Sequence, residues 1–193
     1  MSEKINFVTT NSYKFEVAQQ FFARLPENEF TVVQYDIETP EVQDDSEGRI
    51  AEQSALWVSR QLGELAVASD VGFRIDSLGG FPGPFVKYAN NWLQPNDVLN
   101  MMRPHADRSA RFVDVLAVAT PEGESKVFVT ETPGTIVDAE SVPDIKWTMD
   151  AVFIPEGHTK TLAEMDDEEK DAVWSDEGWH ELTKHLVDRK KNE

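Results

Sequence analysis

The chain contains no cysteine, which excludes disulfides, thiolate nucleophiles and cysteine-held zinc from its chemistry. It also lacks any apolar run near the length of a membrane span. Cations are scarce: 18 lysines and arginines stand against 36 acids, for a formal net charge of −18. Without a basic stripe, neither duplex DNA nor an anionic membrane is expected as a partner. A small anionic ligand stays open, because a few local cations and one divalent metal reverse the sign inside a cleft. There is no HExxH, no P-loop lysine motif, no GxSxG and no dinucleotide fingerprint. The opening MSEKINFVTT lacks the basic and apolar regions of a signal peptide, so a cytoplasmic protein is expected. His105, His158, His180 and His185 fall at no ligand spacing and are expected at the surface.

What is present is a chain of 193 residues with 40% apolar content, enough to bury a real core. No repeat, low-complexity block or linker divides it. One domain over 1–193, or two lobes sharing one sheet, is expected. Ile5–Val8 reads as a strand, Thr9 to Ser12 as polar turn chemistry, and Phe15, Ala18, Phe21, Phe22 and Leu25 fall at helical spacing. Phe30–Ile37 reads as a second strand. The loop from Glu38 to Gly48 holds Glu38, Glu41, Asp44, Asp45 and Glu47, expected mostly in solvent. A helix follows from Ile50 to Leu62, stopped by Gly63. Leu65–Ser69 reads as a buried strand ending on Asp70, with Gly72 loosening the backbone before a second strand, Phe73–Leu78. Gly79 to Pro84 is a loop whose glycines permit positive φ. Pro95–Met102 reads as a helix capped by Asn96 or Asp97. Phe112–Ala119 and Lys126–Glu131 form a hairpin, which Thr135–Val137 continues. Trp147–Ile154 is an apolar run carrying one acid, Asp150, which must be paired, wet or facing a cleft. Thr161 and Glu164 have capping-box spacing, and Trp179, Leu182 and Leu186 mark a terminal amphipathic helix.

Two stretches carry candidate chemistry. An acid at a strand end beside a Gly/Pro-built loop, as at Asp70, is a way to place a metal-binding carboxylate; an ordinary hairpin with one exposed acid is the alternative. The strand, polar loop and helix start at Thr10, Asn11, Ser12 and Lys14 offers N–H groups, hydroxyls and a cation to an anion. Simple capping by Asn11 or Ser12, with Lys14 in solvent, is the alternative there.

The order of the pieces is more specific than any one of them. TTNSYK at 9–14, Pro40-Glu41, SDVG at 69–72, LGGFPGPFVK at 78–87, WTMDAVFIP at 147–155, TLAEM at 161–165 and Glu169-Lys170 form an ordered series. From Ile5 to about Leu186 the chain resembles the inosine triphosphate pyrophosphatase family, with LGGxPGP and TxAEMxxxEK as the most specific segments. That resemblance implies an α/β fold with an elongated, twisted mixed sheet flanked by helices, and two lobes with the active-site cleft between them, as a homodimer. It implies Mg²⁺-dependent attack of water on the α-phosphorus of a nucleoside triphosphate, releasing monophosphate and pyrophosphate. Thr10, Asn11 and Lys14 would hold the triphosphate, and Lys87, inside its motif, would join the substrate contacts. Glu41 and Asp70 would bind Mg²⁺, with Asp70 also orienting or deprotonating the water. Trp147 would stack on the base, Asp150 would sit at the base pocket and Lys170 would return a charge to the site. Phosphoryl chemistry needs charge neutralisation and positioning more than a covalent nucleophile, which suits this set.

The departures matter equally. The family pattern has two adjacent acids at the strand end and then a small residue; here Ser69 precedes Asp70 and Val71 follows. Met149 stands where an aromatic is usual. The Ser-His-Arg triplet expected after Glu169-Lys170 is absent, and Ser175, Asp176 and Glu177 lie there with Trp174 before them. A pyrophosphatase with altered base recognition is the reading favoured by the motifs. A nucleotide-binding protein with weak or lost catalysis is the alternative, and an interaction module using only its dimer surface a third. Acceptors in place of the triplet's donors would favour a base bearing an amino group over the keto bases of ITP and XTP. Trp174 or Trp179 at the pocket is the other outcome of that change.

Overall fold

A computed structural model describes residues 2–24, 30–40, 42–139 and 147–191. Its strands are β1 (Glu3–Val8), β2 (Phe30–Tyr35), β3 (Leu65–Ile75), β4 (Phe81–Gly83), β5 (Ser109–Ala119), β6 (Ser125–Ile136) and β7 (Phe153–Pro155). The helices are α1 (Ser12–Phe22), α2 (Glu47–Leu62), α3 (Val86–Trp92), α4 (Pro95–Met102), α5 (Thr148–Val152), α6 (Asp167–Asp171) and α7 (Glu177–Lys191). The strands form one mixed sheet in the order β2-β1-β3-β5-β6-β7, with β4 paired to β3. β1 runs parallel to β2 and to β3, so α1 and α2 are the crossovers that parallel pairing requires. β4 on β3 and β7 on β6 are antiparallel. The expected α/β class, a mixed sheet flanked by helices, is borne out.

The chain divides into two compact units. The first holds Met1–Asp70, Asp114–Thr130 and Asp176–Glu193. Its core joins Ile5 and Phe7 of β1, Ala18 and Phe22 of α1, Leu116 and Val118 of β5, and Leu182 and Leu186 of α7. Trp179 stacks on Phe21 at 5.0 Å and 2°, so it is core packing and not a pocket wall. The second unit holds Val71–Val113 and Glu131–Ser175. Phe73, Phe112 and Phe153 meet there with ring centroids 4.7 to 5.3 Å apart, among Met149, Val152, Leu162 and Met165. Each fully buried ring of this kind is worth roughly 1.5–3 kcal/mol in transfer from water.

Several expectations are corrected. β3 passes through Gly72 without a break, and Asp76–Leu78 is a 3₁₀ turn, not strand. Pairing with β1 up to Ala68 and with β4 from Phe73 holds the strand on either side of Gly72. Gly79, Gly80 and Gly83 do take positive φ, as the loop demands. The cap of α4 is Gln94, with Asp97 completing the capping box from inside the helix. β2 stops at Tyr35, and α3 was not foreseen. Glu47, expected in solvent, is buried at the start of α2. His185 is half-buried against the Phe128 ring, and burial pushes its pKa down. Leu25 lies outside the described residues.

Candidate active site

In the first unit, β1 delivers the chain into a polar turn that starts α1. The Thr9 hydroxyl accepts the Asn11 N–H at 3.1 Å, and Asn11 Oδ1 accepts the Lys14 N–H at 3.3 Å. Asn11 therefore caps α1 through its side-chain oxygen. The first turn of α1 contains no acid, as is also true of α3, whereas α2, α4, α5, α6 and α7 each carry at least one there. The positive end of this helix therefore meets no carboxylate from its own first turn. Thr10 and Asn11 are exposed beside it, and Lys14 is half-buried.

Asp70 is half-buried on β3, where the unit ends, and its Oδ2 atom is shielded from solvent. Ser69 beside it is half-buried too. Glu41, the other expected metal ligand, lies outside the described residues. A second acid of this unit, Asp114 on β5, was missed by the sequence reading. Burial pushes its carboxyl up to about 6, against the opposing pull of the Lys14 charge. The signal was available: Asp114 interrupts an otherwise apolar row on β5, as Asp150 interrupts its own run.

In the second unit, α3 and α5 hold the expected base-side residues. The Thr148 hydroxyl donates to the Leu93 carbonyl at 2.6 Å, and the Met149 N–H donates to Asn90 Oδ1 at 3.0 Å. These bonds anchor α5 to the end of α3. Trp147, just before α5, is 40% exposed, leaving much of its ring accessible. Asp150 is half-buried; burial pushes its carboxyl up to about 6, and the Lys170 charge pulls the other way. Asp150 and Lys170 are thus brought into electrostatic range of one another. Lys87 is exposed on α3.

Two successive capping boxes shape the segment before Lys170. Glu164 accepts the Thr161 N–H at 2.7 Å, and Glu169 accepts the Asp166 N–H at 3.0 Å. Glu169 also meets Lys160 at 2.5 Å. The acids of TLAEMDDEEK that carry these bonds are scaffold, and they present the half-buried Lys170. Trp174 packs edge-on to Phe112 at 5.4 Å, and Ser175, Asp176 and Glu177 are exposed.

No group of three or more His, Asp or Glu side chains gathers among the described residues. Asp70 offers a hard carboxylate oxygen, the donor type Mg²⁺ takes, and Mg²⁺ commonly binds through one or two carboxylates with waters and phosphate oxygens as the rest. The residues present therefore fit that ion only in company with a phosphate ligand. A cavity of about 620 Å³ in the second unit is lined by Asn96, Asn100, Arg103, His105, Arg108 and Asp138 among others, and includes none of the expected site residues.

Residues 5–175 match the Ham1 family. The chain belongs to the Ham1 family. It is 33% identical over 167 residues to a dITP/XTP pyrophosphatase of Methanopyrus kandleri, covering 86% of this chain and 87% of the relative. Identity is also 33% over 170 residues to a dITP/XTP pyrophosphatase of Pyrobaculum aerophilum, covering 88% of each. A solved HAM1 protein from Coxiella burnetii shares the fold with a TM-score of 0.82 at 22% identity, covering 96% of this chain and 99% of that one. The family resemblance read from the motifs is borne out. Family and fold now both stand beneath the site.

Proposed function

We propose that this Ham1-family protein is a Mg²⁺-dependent nucleoside triphosphate pyrophosphatase that releases a monophosphate and pyrophosphate. The observation that carries the reading is the start of α1: an acid-free first turn with Asn11 as cap and Lys14 half-buried, on a chain of net charge −18. The dITP/XTP pyrophosphatases among its relatives support the reaction class. In this reading Thr10, Asn11 and Lys14 dock the triphosphate through hydrogen bonds and charge. Mg²⁺, held by Asp70 and Glu41 with phosphate oxygens, would supply neutralisation of the charge on the phosphates. Asp70 orients the attacking water or takes its proton. Trp147 stacks on the base, Asp150 meets its edge, and Lys170 and Lys87 add cations. The protein acts in the cytoplasm as a homodimer in this proposal.

A second reading, binding without turnover, is favoured by Ser69 at the position of the missing acid. Pyrophosphate release from ITP, XTP, ATP, GTP, CTP and their deoxy forms, with and without Mg²⁺, separates the two. Mg²⁺-dependent release, abolished in Asp70→Asn with the circular dichroism unchanged, is the expected result. Nucleotide binding without release establishes the second reading instead. Because the Ser-His-Arg triplet is absent, the highest kcat/KM is expected for a base bearing an amino group. A clear preference for ITP or XTP would overturn that part and restore the selectivity named for the relatives.

A further inference from the structure

We propose that Asp114 is a positioning residue that holds the Lys14 ammonium in place for a polyphosphate. The inference rests on the reading of α1 as a phosphate site, and deepens it. The β5 positions Leu116 and Val118 enter the same core as Ala18 and Phe22 of α1. Two residues before Leu116, Asp114 lies on that same face of the strand. Lys14 is four residues before Ala18, so it lies on the face that α1 turns to this core. Strand period and helix period thus turn both side chains toward the core that α1 and β5 share. Both are half-buried, and the Lys14 charge acts on the Asp114 carboxyl.

The chemistry explains why such an acid is kept in an apolar row. A lysine is a point charge on a flexible four-carbon stem, and its freedom is lost when it meets a ligand. A carboxylate set behind it restrains the stem beforehand, so that part of the ordering cost is met before the phosphate arrives. Asp114 cannot itself touch the anion favourably, since like charges repel. Its effect on the ligand must run through Lys14.

Calorimetric binding of inorganic tripolyphosphate to the intact protein tests this without any turnover. We expect Asp114→Asn to weaken tripolyphosphate about 5–10-fold, the order of a modest coupling between charged groups. The same variant should raise KM for a triphosphate while leaving kcat nearly unchanged. Lys14→Ala should weaken binding more, and the Asp114→Asn, Lys14→Ala pair should bind no worse than Lys14→Ala alone. Additive losses would overturn the proposal, as would unchanged affinity in Asp114→Asn. A variant that keeps tripolyphosphate affinity but loses Mn²⁺ affinity would also overturn it, and would make Asp114 a metal carboxylate. Tripolyphosphate binding with the expected couplings, in a protein that hydrolyses no triphosphate, sustains this inference while the pyrophosphatase reading fails. No tripolyphosphate binding by the wild-type protein sinks this inference at its base.

Discussion

Two carboxyls, Asp114 in one unit and Asp150 in the other, stand well above the usual carboxylate range because burial penalises their charge. Each has one lysine opposing that shift, Lys14 and Lys170 respectively. For Asp150 the folded pKa lies above the unfolded one, the reverse of a salt-bridged aspartate. Between about pH 4 and 6 the folded protein therefore binds a proton that the unfolded chain does not. Stability should fall as the pH rises through that window, and the loss is complete above it. Asp150→Asn removes the titration, so at pH 7 the variant should be more stable than wild type by ~1–2 kcal/mol, discounted for partial solvent access. By pH 4 the gap should have closed. Urea unfolding of both proteins at the two pH values checks this, and a gap that widens on acidification contradicts it. Asp150 announced itself in the sequence as a lone acid in an apolar run. Asp114 had the same signature, but its meaning depends on which helix covers that face of β5.

At the scale of elements, local chemistry was legible at several caps, though the cap of α4 fell at Gln94 and not at Asn96 or Asp97. Gly63 ends α2 in the left-handed region, and Thr161 with Glu164 closes a capping box, both as the residue types require. Elements whose ends depend on pairing were misread. Gly72 suggested a break, but β3 runs through it, held by β1 before it and β4 after it. Gly134 shows the opposite use of the residue. It pairs with Pro155 in the β6–β7 ladder, and a Cβ there would strike the Ile154 carbonyl and the Phe153 ring. The β6–β7 approach needs a bare backbone at that point. Gly134→Ala should therefore destabilise the protein by about 2–4 kcal/mol, the range for overpacking a tight contact. Denaturant melts should show it, and a variant as stable as wild type would mean that β7 can shift aside cheaply.

On the whole molecule, the charge of −18 limits how two copies can meet. Between Asp76 and Asp97 there is no acid, and Lys87 is the sole charged residue. That segment also exposes Phe81, Phe85, Tyr88 and, at 74%, Trp92. Phe85 precedes α3, and Tyr88 and Trp92 follow it at helical spacing with their rings 5.4 Å apart. An uncharged aromatic stripe is where a second copy of so anionic a chain can approach without repulsion, and we assign the proposed homodimer contact to it. Light scattering after size exclusion should give a dimer for wild type and a monomer for Trp92→Asp with unchanged circular dichroism. A dimeric Trp92→Asp protein would move the contact elsewhere.

By itself, the sequence determined the family, the α/β class, the end of α2 and the extent of α4, because each depends on residue type and spacing within a short window. Residue order also marked Asn11, Lys14, Asp70, Trp147, Asp150 and Lys170 as one ordered set of candidates. Tertiary structure decided what spacing cannot express. It buried Asp114 within range of the Lys14 charge, and drew Asp150 within range of Lys170. Trp179 was likewise committed to the aromatic core against Phe21. These outcomes depend on which faces of distant segments are buried together, and burial is a property of the packed chain.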